Sequence, residues 1–260
     1  MRKATTVHSA QKHEIVVDSL AKDIFLGKLK PDTKLPTVKN ISEEMHVDCT
    51  SVRLGLKQLE SMKVLSIRQG DGIYVNDYLK NAGVDFLGFT FQKLEEDSAN
   101  LPIDGYLLDE IWEFWILFWP PVLELAAKRA SARDIKLLVQ IIDQQEACIN
   151  TMNRKKMAKL LISLQDTTAE VVNNSILLLM FNSCRPFRIK IIEMLFDSMD
   201  KAELHDVVTI QRIFLQKVVK GSEGEITEAL DALRESYMNY RQRMRELMSS
   251  SIAVRHTDKT

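Results

Sequence analysis

Cysteine is scarce in this chain: Cys49, Cys148 and Cys184 are the three in 260 residues, widely spaced and with no CxxC pair. An odd, scattered set argues against a disulfide framework or a structural zinc site and fits a reducing compartment. An excess of one charge is also missing, since the formal net charge is −1. Residues 1–78 carry 12 Lys/Arg against 10 Asp/Glu, and the remainder carries 23 against 26. So small an asymmetry is compatible with a nucleic-acid partner but does not indicate one. No long hydrophobic run is present. The most apolar stretch, Ile111 to Ala127, is broken by Glu113, Pro120, Pro121 and Glu124, short of the roughly 20 apolar residues that a membrane span needs. The first twenty residues lack the apolar core of a secretory signal, so the expected location is the cytoplasm. There is no Ser/His/Asp order, no P-loop and no GxGxxG, which argues against an enzyme. Internal repeats and low-complexity tracts are absent as well.

What is present is an ordinary globular composition, 45% hydrophobic and 27% charged, in a length suited to two domains. A first helix is expected over Gln11–Leu26, with Ile15, Val16, Leu20 and Ile24 near one face. Gly27 ends it, and Lys30-Pro31-Asp32 makes a turn. A short helix follows over Val38–Met45. Asp48 then caps a third helix, Cys49–Met62, whose Val52, Leu56 and Leu59 form the buried stripe. The period changes next. Val64–Arg68 and Ile73–Val75 read as strands around a Gln69-Gly70-Asp71-Gly72 turn. Beyond Tyr78 all patterns are helical: a linker helix over Phe86–Glu96 broken at Asn100-Leu101-Pro102, then Ile103–Ala130 with a kink at Pro120-Pro121. Ser131 caps a helix reaching Met152, and further helices follow over Lys155–Val172, Ser175–Ser183, Pro186–Met199, Glu203–Lys220 and Glu223–Met248.

Three helices and a hairpin in this order predict a winged helix-turn-helix over residues 1–78. A linker helix is expected over 79–102, an all-α bundle for effector binding and dimerisation over 103–250, and a flexible tail over 251–260. The fold class is therefore mainly α, with one small β-hairpin wing. If the stripe of the third helix faces the core, Thr50, Ser51, Arg53 and Lys57 lie on the opposite face, as hydroxyls and cations able to enter a major groove. Arg68, Gln69 and Gly70 stand at the wing, where a glycine lets backbone approach DNA closely.

The same residues resemble the GntR family of regulators. Gly27-Lys28-Leu29-Lys30-Pro31-Asp32-Thr33-Lys34-Leu35-Pro36-Thr37 is similar to the family's G-x-L-x-P-G-x-x-L-P-S segment before the second helix. Ser51-Val52-Arg53-x-x-Leu56-x-x-Leu59-Glu60 is similar to its recognition helix, and Arg68-Gln69-Gly70-x-Gly72-x-Tyr74-Val75 to its wing. The resemblance covers residues 11–76. It implies DNA contacts at Lys39, Thr50, Ser51, Arg53, Gln69 and Gly70, on a pseudo-palindromic double-stranded operator bound by a homodimer. Asp48 and Cys49 depart from it, since the family has Ser or Thr and then Arg at these positions. Losing that cation while Asp48 faces an anionic partner implies a different operator or a lower affinity. Cys49 on this helix is either a redox-sensitive thiol, which Asp48 opposes, or a tolerated residue.

The helical half resembles the FadR-like branch, through Leu125-Ala126-Ala127-Lys128-Arg129-Ala130-Ser131 and the helix-breaking Asn173-Asn174-Ser175-Ile176-Leu177. Many members of that branch hold a metal through an Asp and three His, with an Arg on the first helix that meets a carboxylate. Counting along this chain puts Leu161 and Gln165 at the Asp and first His positions, Gln211 at the second and Ser236 or Tyr237 at the third. Trp115 falls near the Arg position. His205 is the one histidine between residues 47 and 255, so a three-His site is excluded, and no metal or cofactor is expected. Asp166 reads as a solvated residue rather than a pocket acid. Trp112, Trp115, Phe118 and Trp119 follow helical spacing, as core, as subunit interface or as the wall of a pocket. The pocket reading takes Trp112, Trp115, Trp119, Gln165, Gln211 and Tyr237 as its lining. Aromatic walls without a fixed cation suit an apolar or acyl effector. The alternative is a regulator without ligand sensing, acting constitutively or through protein contacts.

Overall fold

The computed structural model describes residues 4–93, 105–221 and 223–257, and the chain divides into two units, Met1–Pro102 and Ile103–Thr260. In the first, α1 (Ala4–Phe25) is followed by α2 (Val38–Glu44) and α3 (Cys49–Ser61). Gly27 takes φ 69, the left-handed conformation that stops α1. Thr37 caps α2 by accepting the Asn40 N–H at 3.3 Å. His46, at φ 54, makes the turn before α3. Val52, Leu56 and Leu59 are completely buried, together with Val16, Leu20 and Ile24 of α1. Ile15, expected on that face, is 52% exposed, because the inner face of α1 runs through Val16 and Val17.

Helices α1 and α3 approach closely at Gly55. A Cβ there would lie 3.0 Å from both the His13 carbonyl oxygen and the Val16 Cβ, so a glycine sets this packing distance. Strands β1 (Leu65–Arg68) and β2 (Gly72–Val75) pair antiparallel in the register Leu65–Val75, Ser66–Tyr74, Ile67–Ile73, Arg68–Gly72. The segment after the Lys30–Asp32 turn docks along β2. The Leu35 N–H donates to Ile73 O at 2.8 Å, and the Val75 N–H to Thr33 O at 3.0 Å. Sequence periodicity does not show this third backbone partner, which anchors the wing to the segment leading into α2.

Helices α4 (Tyr78–Asn81) and α5 (Val84–Lys93) follow within the same unit. α5 packs on α1. Phe86 is wholly buried in the head's core, its ring 5.4 Å from that of Tyr78. The linker segment thus contributes a core residue to the head. Its expected break at Asn100–Pro102 lies outside the described residues.

The second unit holds α6 (Gly105–Arg129), α7 (Ala132–Asn150), α8 (Arg154–Val172), α9 (Ser175–Asp197), α10 (Lys201–Lys220) and α11 (Glu223–Thr257). α6 packs on α8 and α11, α7 on α8 and α10, α8 on α9, and α10 on α11. The caps are chemically clear. Ser131 and Asp134 form a capping box on α7, and Asp200 and Glu203 form one on α10. Asn173, at φ 50, ends α8, and the Asn174 side chain accepts from the N–H groups of Ile176 and Leu177 to open α9.

α6 is one helix with Pro120 and Pro121 inside it and Trp115, Trp119, Val122 and Leu123 buried around them. Two expectations change here. The two helices expected over 175–183 and 186–199 are one, α9, with Pro186 inside it. Burial of Phe181 and Cys184 before the proline, and of Phe187, Ile191 and Leu195 after it, outweighs one missing backbone donor. The last helix, expected over Glu223–Met248, continues to Thr257. Arginines tie the bundle together. The Asp109 carboxylate of α6 receives Arg241 at 2.7 and 2.6 Å and also pairs with Arg245, both on α11. Arg154 donates to the carbonyls of Phe196 (2.8 Å) and Met199 (2.7 Å), where a helix terminus leaves free acceptors.

Candidate functional site

The recognition surface starts from the cap of α3. Asp48 is exposed, and its carboxylate accepts the Ser51 N–H and the Ser51 hydroxyl, each at 2.9 Å. These bonds, the backbone one first, hold the Asp48 carboxyl below its usual range, so the cap is anionic at neutral pH. They also correct one expected DNA contact. Ser51 is 3% exposed and its hydroxyl is committed to Asp48, so it braces the cap from the core side and does not face a groove. Thr50, Arg53 and Lys57 are exposed on the same helix. Arg53 makes no ion pair among the described residues. Lys57 pairs with Glu60 at 2.6 Å, and Glu60 also accepts the Ile67 N–H of β1 at 3.1 Å, so this cation is drawn toward the wing. Leu54, not singled out in the sequence, is 52% exposed beside Arg53 and offers an apolar contact of the kind that reads a thymine methyl. Lys39 stands on α2, exposed and 3.8 Å from Glu43.

The wing has its own internal order. Asp71 accepts from the Tyr74 hydroxyl at 2.9 Å and from Lys34 at 3.2 Å; these bonds, Tyr74 first, lower its pKa. Lys34 crosses against Gly72, where a Cβ would fall 2.5 Å from the Lys34 Cε, so a side chain at this position would displace the lysine. The Arg68 guanidinium lies 4.3 Å from the centre of the Tyr74 ring, a cation–π contact that holds its charge at the strand end. Gln69 and Gly70 are exposed at the tip, and Gly70 takes φ 77 with open space around it.

In the helical unit all six residues expected to line a pocket border one of three small cavities. Trp119, Gln165, Gln211 and Tyr237 border a narrow one of about 60 Å³, whose other walls are mostly aliphatic. Trp112 and Trp115 border two smaller ones, of about 20 and 30 Å³, and Gln165 borders all three. The tryptophan stripe is core as well as wall. Trp115 and Trp119 stack at 5.2 Å, and Phe181 lies within 5.9 Å of both. Gln145, completely buried, donates to Gln211 at 3.1 Å. Burial pushes the Tyr237 hydroxyl well above its ordinary value and that of Tyr240 up to about 12, so both remain neutral donors.

The expectation of walls without a fixed cation is overturned. Arg188 of α9 is 4% exposed and borders the 20 Å³ cavity. It donates to Asp166 at 3.0 Å and to the Gln165 side-chain oxygen at 2.8 Å. Asp166, read from sequence as solvated, is the counter-ion of this buried cation. The signal was in the sequence: Phe181, Cys184, Arg188, Ile191 and Leu195 share one helical face. Splitting the helix at Pro186 concealed it. Among the described residues no group of three or more His, Cys, Asp or Glu is placed to hold a metal ion, and no helix is long and apolar enough to cross a membrane.

A three-helix head with a capped third helix and a two-stranded wing defines a winged helix-turn-helix DNA-binding domain. Residues 12–75 match the family model described as bacterial regulatory proteins, gntR family. The chain is 29% identical over 136 residues to the HTH-type transcriptional regulator Mce2R of Mycobacterium tuberculosis, covering 51% of this chain and 54% of that protein. It thus spans about half the length of the first curated relatives it matches. Over 250 residues it is 24% identical to the Uxu operon transcriptional regulator of Escherichia coli, covering 92% of this chain and 91% of that one. A solved structure described as Lar, which controls expression of the Listeria monocytogenes agr system, aligns with a TM-score of 0.56 at 13% identity, over 89% of this chain and 96% of that one. That likeness shows a shared fold. Residues 12–75 are thus similar to the DNA-binding domain of gntR-family helix-turn-helix regulators.

Proposed function

We propose that the protein is a dimeric transcriptional regulator of the FadR-like type, which binds a pseudo-palindromic operator and is controlled by a small effector in its helical unit. The observation that carries the DNA-binding part is the exposed row Thr50, Arg53 and Lys57 on a helix whose opposite face is fully buried, beside the exposed wing tip at Arg68, Gln69 and Gly70. Phosphate contacts from Lys39, Lys57 and the wing position the head, while Thr50, Arg53 and Leu54 are left to read bases. The anionic cap at Asp48 lowers affinity relative to a head with a cation there.

Dimerisation is supported by apolar side chains turned to solvent on α6 and α9: Leu117 (70% exposed), Ile176 (67%) and Leu179 (62%), with Phe114 beside them on α6. Large exposed apolar groups on two neighbouring helices mark an interaction surface. Sedimentation showing only monomer at micromolar concentration removes this part. Three cavities that share Gln165 support effector control over the constitutive alternative, because a bundle core is ordinarily filled.

Selection of bound duplexes from a random pool, followed by titration at several salt concentrations, tests the function. The expected result is a two-fold-related site bound with a steep salt dependence. Arg53→Ala should weaken binding and flatten the slope of log affinity against log salt by about 1 if Arg53 meets a phosphate, or relax preference at one base pair by about 1–3 kcal/mol if it meets a base. No salt-dependent binding to any duplex refutes the proposal.

A further inference from the structure

The outer face of the wing gathers a charge from a segment outside it. Lys34 lies in the stretch before α2, whose Thr33 and Leu35 bond through their backbones to β2, and Lys34 itself is bridged to Tyr74. In extended backbone, successive side chains point to opposite faces. Leu35 is buried in the core, as are Ile73 and Val75 of β2. Lys34 and Tyr74 therefore share the outer face, and the strand register adds Arg68 and Gly72 to it. Gly72 leaves a gap on that face, which the Lys34 stem fills: a Cβ would fall 2.5 Å from the Lys34 Cε.

The charges on this face do not cancel. The Lys34 Nζ lies 3.2 Å from the Asp71 carboxylate and 5.5 Å from the centre of the Tyr74 ring. Arg68 lies 4.0 Å from the same carboxylate and 4.3 Å from the same ring. Two cations thus share one anion and one aromatic platform, and the group keeps a net positive charge. The side chains of Lys34, Arg68 and Asp71 are each about half exposed. An ammonium has three donors, and Asp71 and Tyr74 can take at most two of them. Exposed ion pairs add little to stability. Two cations held side by side on one solvent face are of more use to an anionic partner than to the fold.

We propose that Lys34 is a phosphate contact of the wing, meeting the DNA backbone beside Arg68 at the end of the hairpin that carries Gln69 and Gly70. This rests on the DNA-binding reading of the head. It adds a cation that neither the recognition helix nor the hairpin contains. Asp71 and Tyr74 are positioning residues, which hold the lysine against the hairpin. Phosphates carry no sequence information, so Lys34 contributes to affinity and not to base preference.

Salt titration of the full-length protein with two duplexes, the one selected from the random pool and a scrambled one of equal length, tests it. Lys34→Met keeps an apolar stem and deletes the charge. It should flatten the slope of log affinity against log salt by about 0.9 and weaken binding about three- to tenfold near 0.1 M salt. The loss should be the same on both duplexes, as expected for a phosphate contact. Lys34→Arg should restore the slope, and the urea midpoint of the Lys34→Met protein should match that of the parent. If the parent binds with a salt dependence that Lys34→Met leaves unchanged, or the loss falls on the selected duplex alone, the contact is refuted while the DNA-binding reading stands. A loss of slope that Lys34→Arg does not restore, or that comes with a lowered urea midpoint, makes the lysine a support of the wing and also refutes the contact. If the parent binds neither duplex with a salt dependence, both readings are refuted.

Discussion

Replacing Phe86 with alanine tests whether the segment after the wing is a tether or part of the DNA-binding head. The side chain is wholly buried, packed with Tyr78 and with the core that includes Val16 and Leu56. A phenylalanine removes roughly 150–250 Å² from water, which at about 25 cal/mol per Å² is worth ~4–6 kcal/mol as an upper bound. Measured Phe→Ala losses in cores run about 3–5 kcal/mol. A domain of this size has a total stability of only about 5–15 kcal/mol, so the head should be left marginal. With a urea slope of about 1–3 kcal/mol per molar, its midpoint should fall by about 1–5 M. The assay is urea unfolding followed separately by far-ultraviolet circular dichroism and by operator binding. The expected pattern is early loss of DNA binding with most helical signal retained, because the second unit holds its own core. Leu79→Ala is the control: Leu79 lies in the same segment but is 80% exposed, and its loss should change little. A Phe86→Ala midpoint within about 0.3 M of the parent, less than 1 kcal/mol at that slope, would refute the reasoning and restore the segment to a linker.

Gly55→Val should also disable the head, since its Cβ would press on the His13 carbonyl and Val16 at 3.0 Å and its methyls would add overpacking worth about 1–3 kcal/mol; a variant that melts with the parent contradicts the close approach of α1 and α3. The Asp109 latch gives a pH dependence of defined sign. Arg241, then Arg245, hold its carboxyl well below the usual carboxylate range, so its contribution is complete above the unfolded value of about 3.9 and is lost as pH falls toward the lower folded one. Asp109→Asn should therefore flatten the stability profile of the second unit below pH 4 in denaturant titrations, and an unchanged profile would show that the latch is not coupled to folding.

The head was largely legible in the sequence because its determinants are local. Val52, Leu56 and Leu59 at helical spacing, Asp48 as a cap, and β-branched strands around Gly70 and Gly72 are each decided by neighbours a few residues away. The order helix, helix, helix, hairpin then admits few folds. Trp112, Trp115, Trp119, Gln165, Gln211 and Tyr237, expected from spacing to lie in the helical core, border its cavities. What escaped depends on partners distant in sequence. Ser51 was misplaced because its hydroxyl turns inward to Asp48. Phe86 was assigned to a linker because its burial needs α1, some 60 residues earlier. Arg188 was hidden by Pro186, which ends a helix on local rules and fails to end one when buried contacts on both sides hold it. Sequence alone determined the order of the head's elements and the apolar stripe of its third helix. Only tertiary packing decided where a buried cation sits and which carboxylate meets it, because the cost of an unpaired charge exists only once the surrounding helices have excluded water.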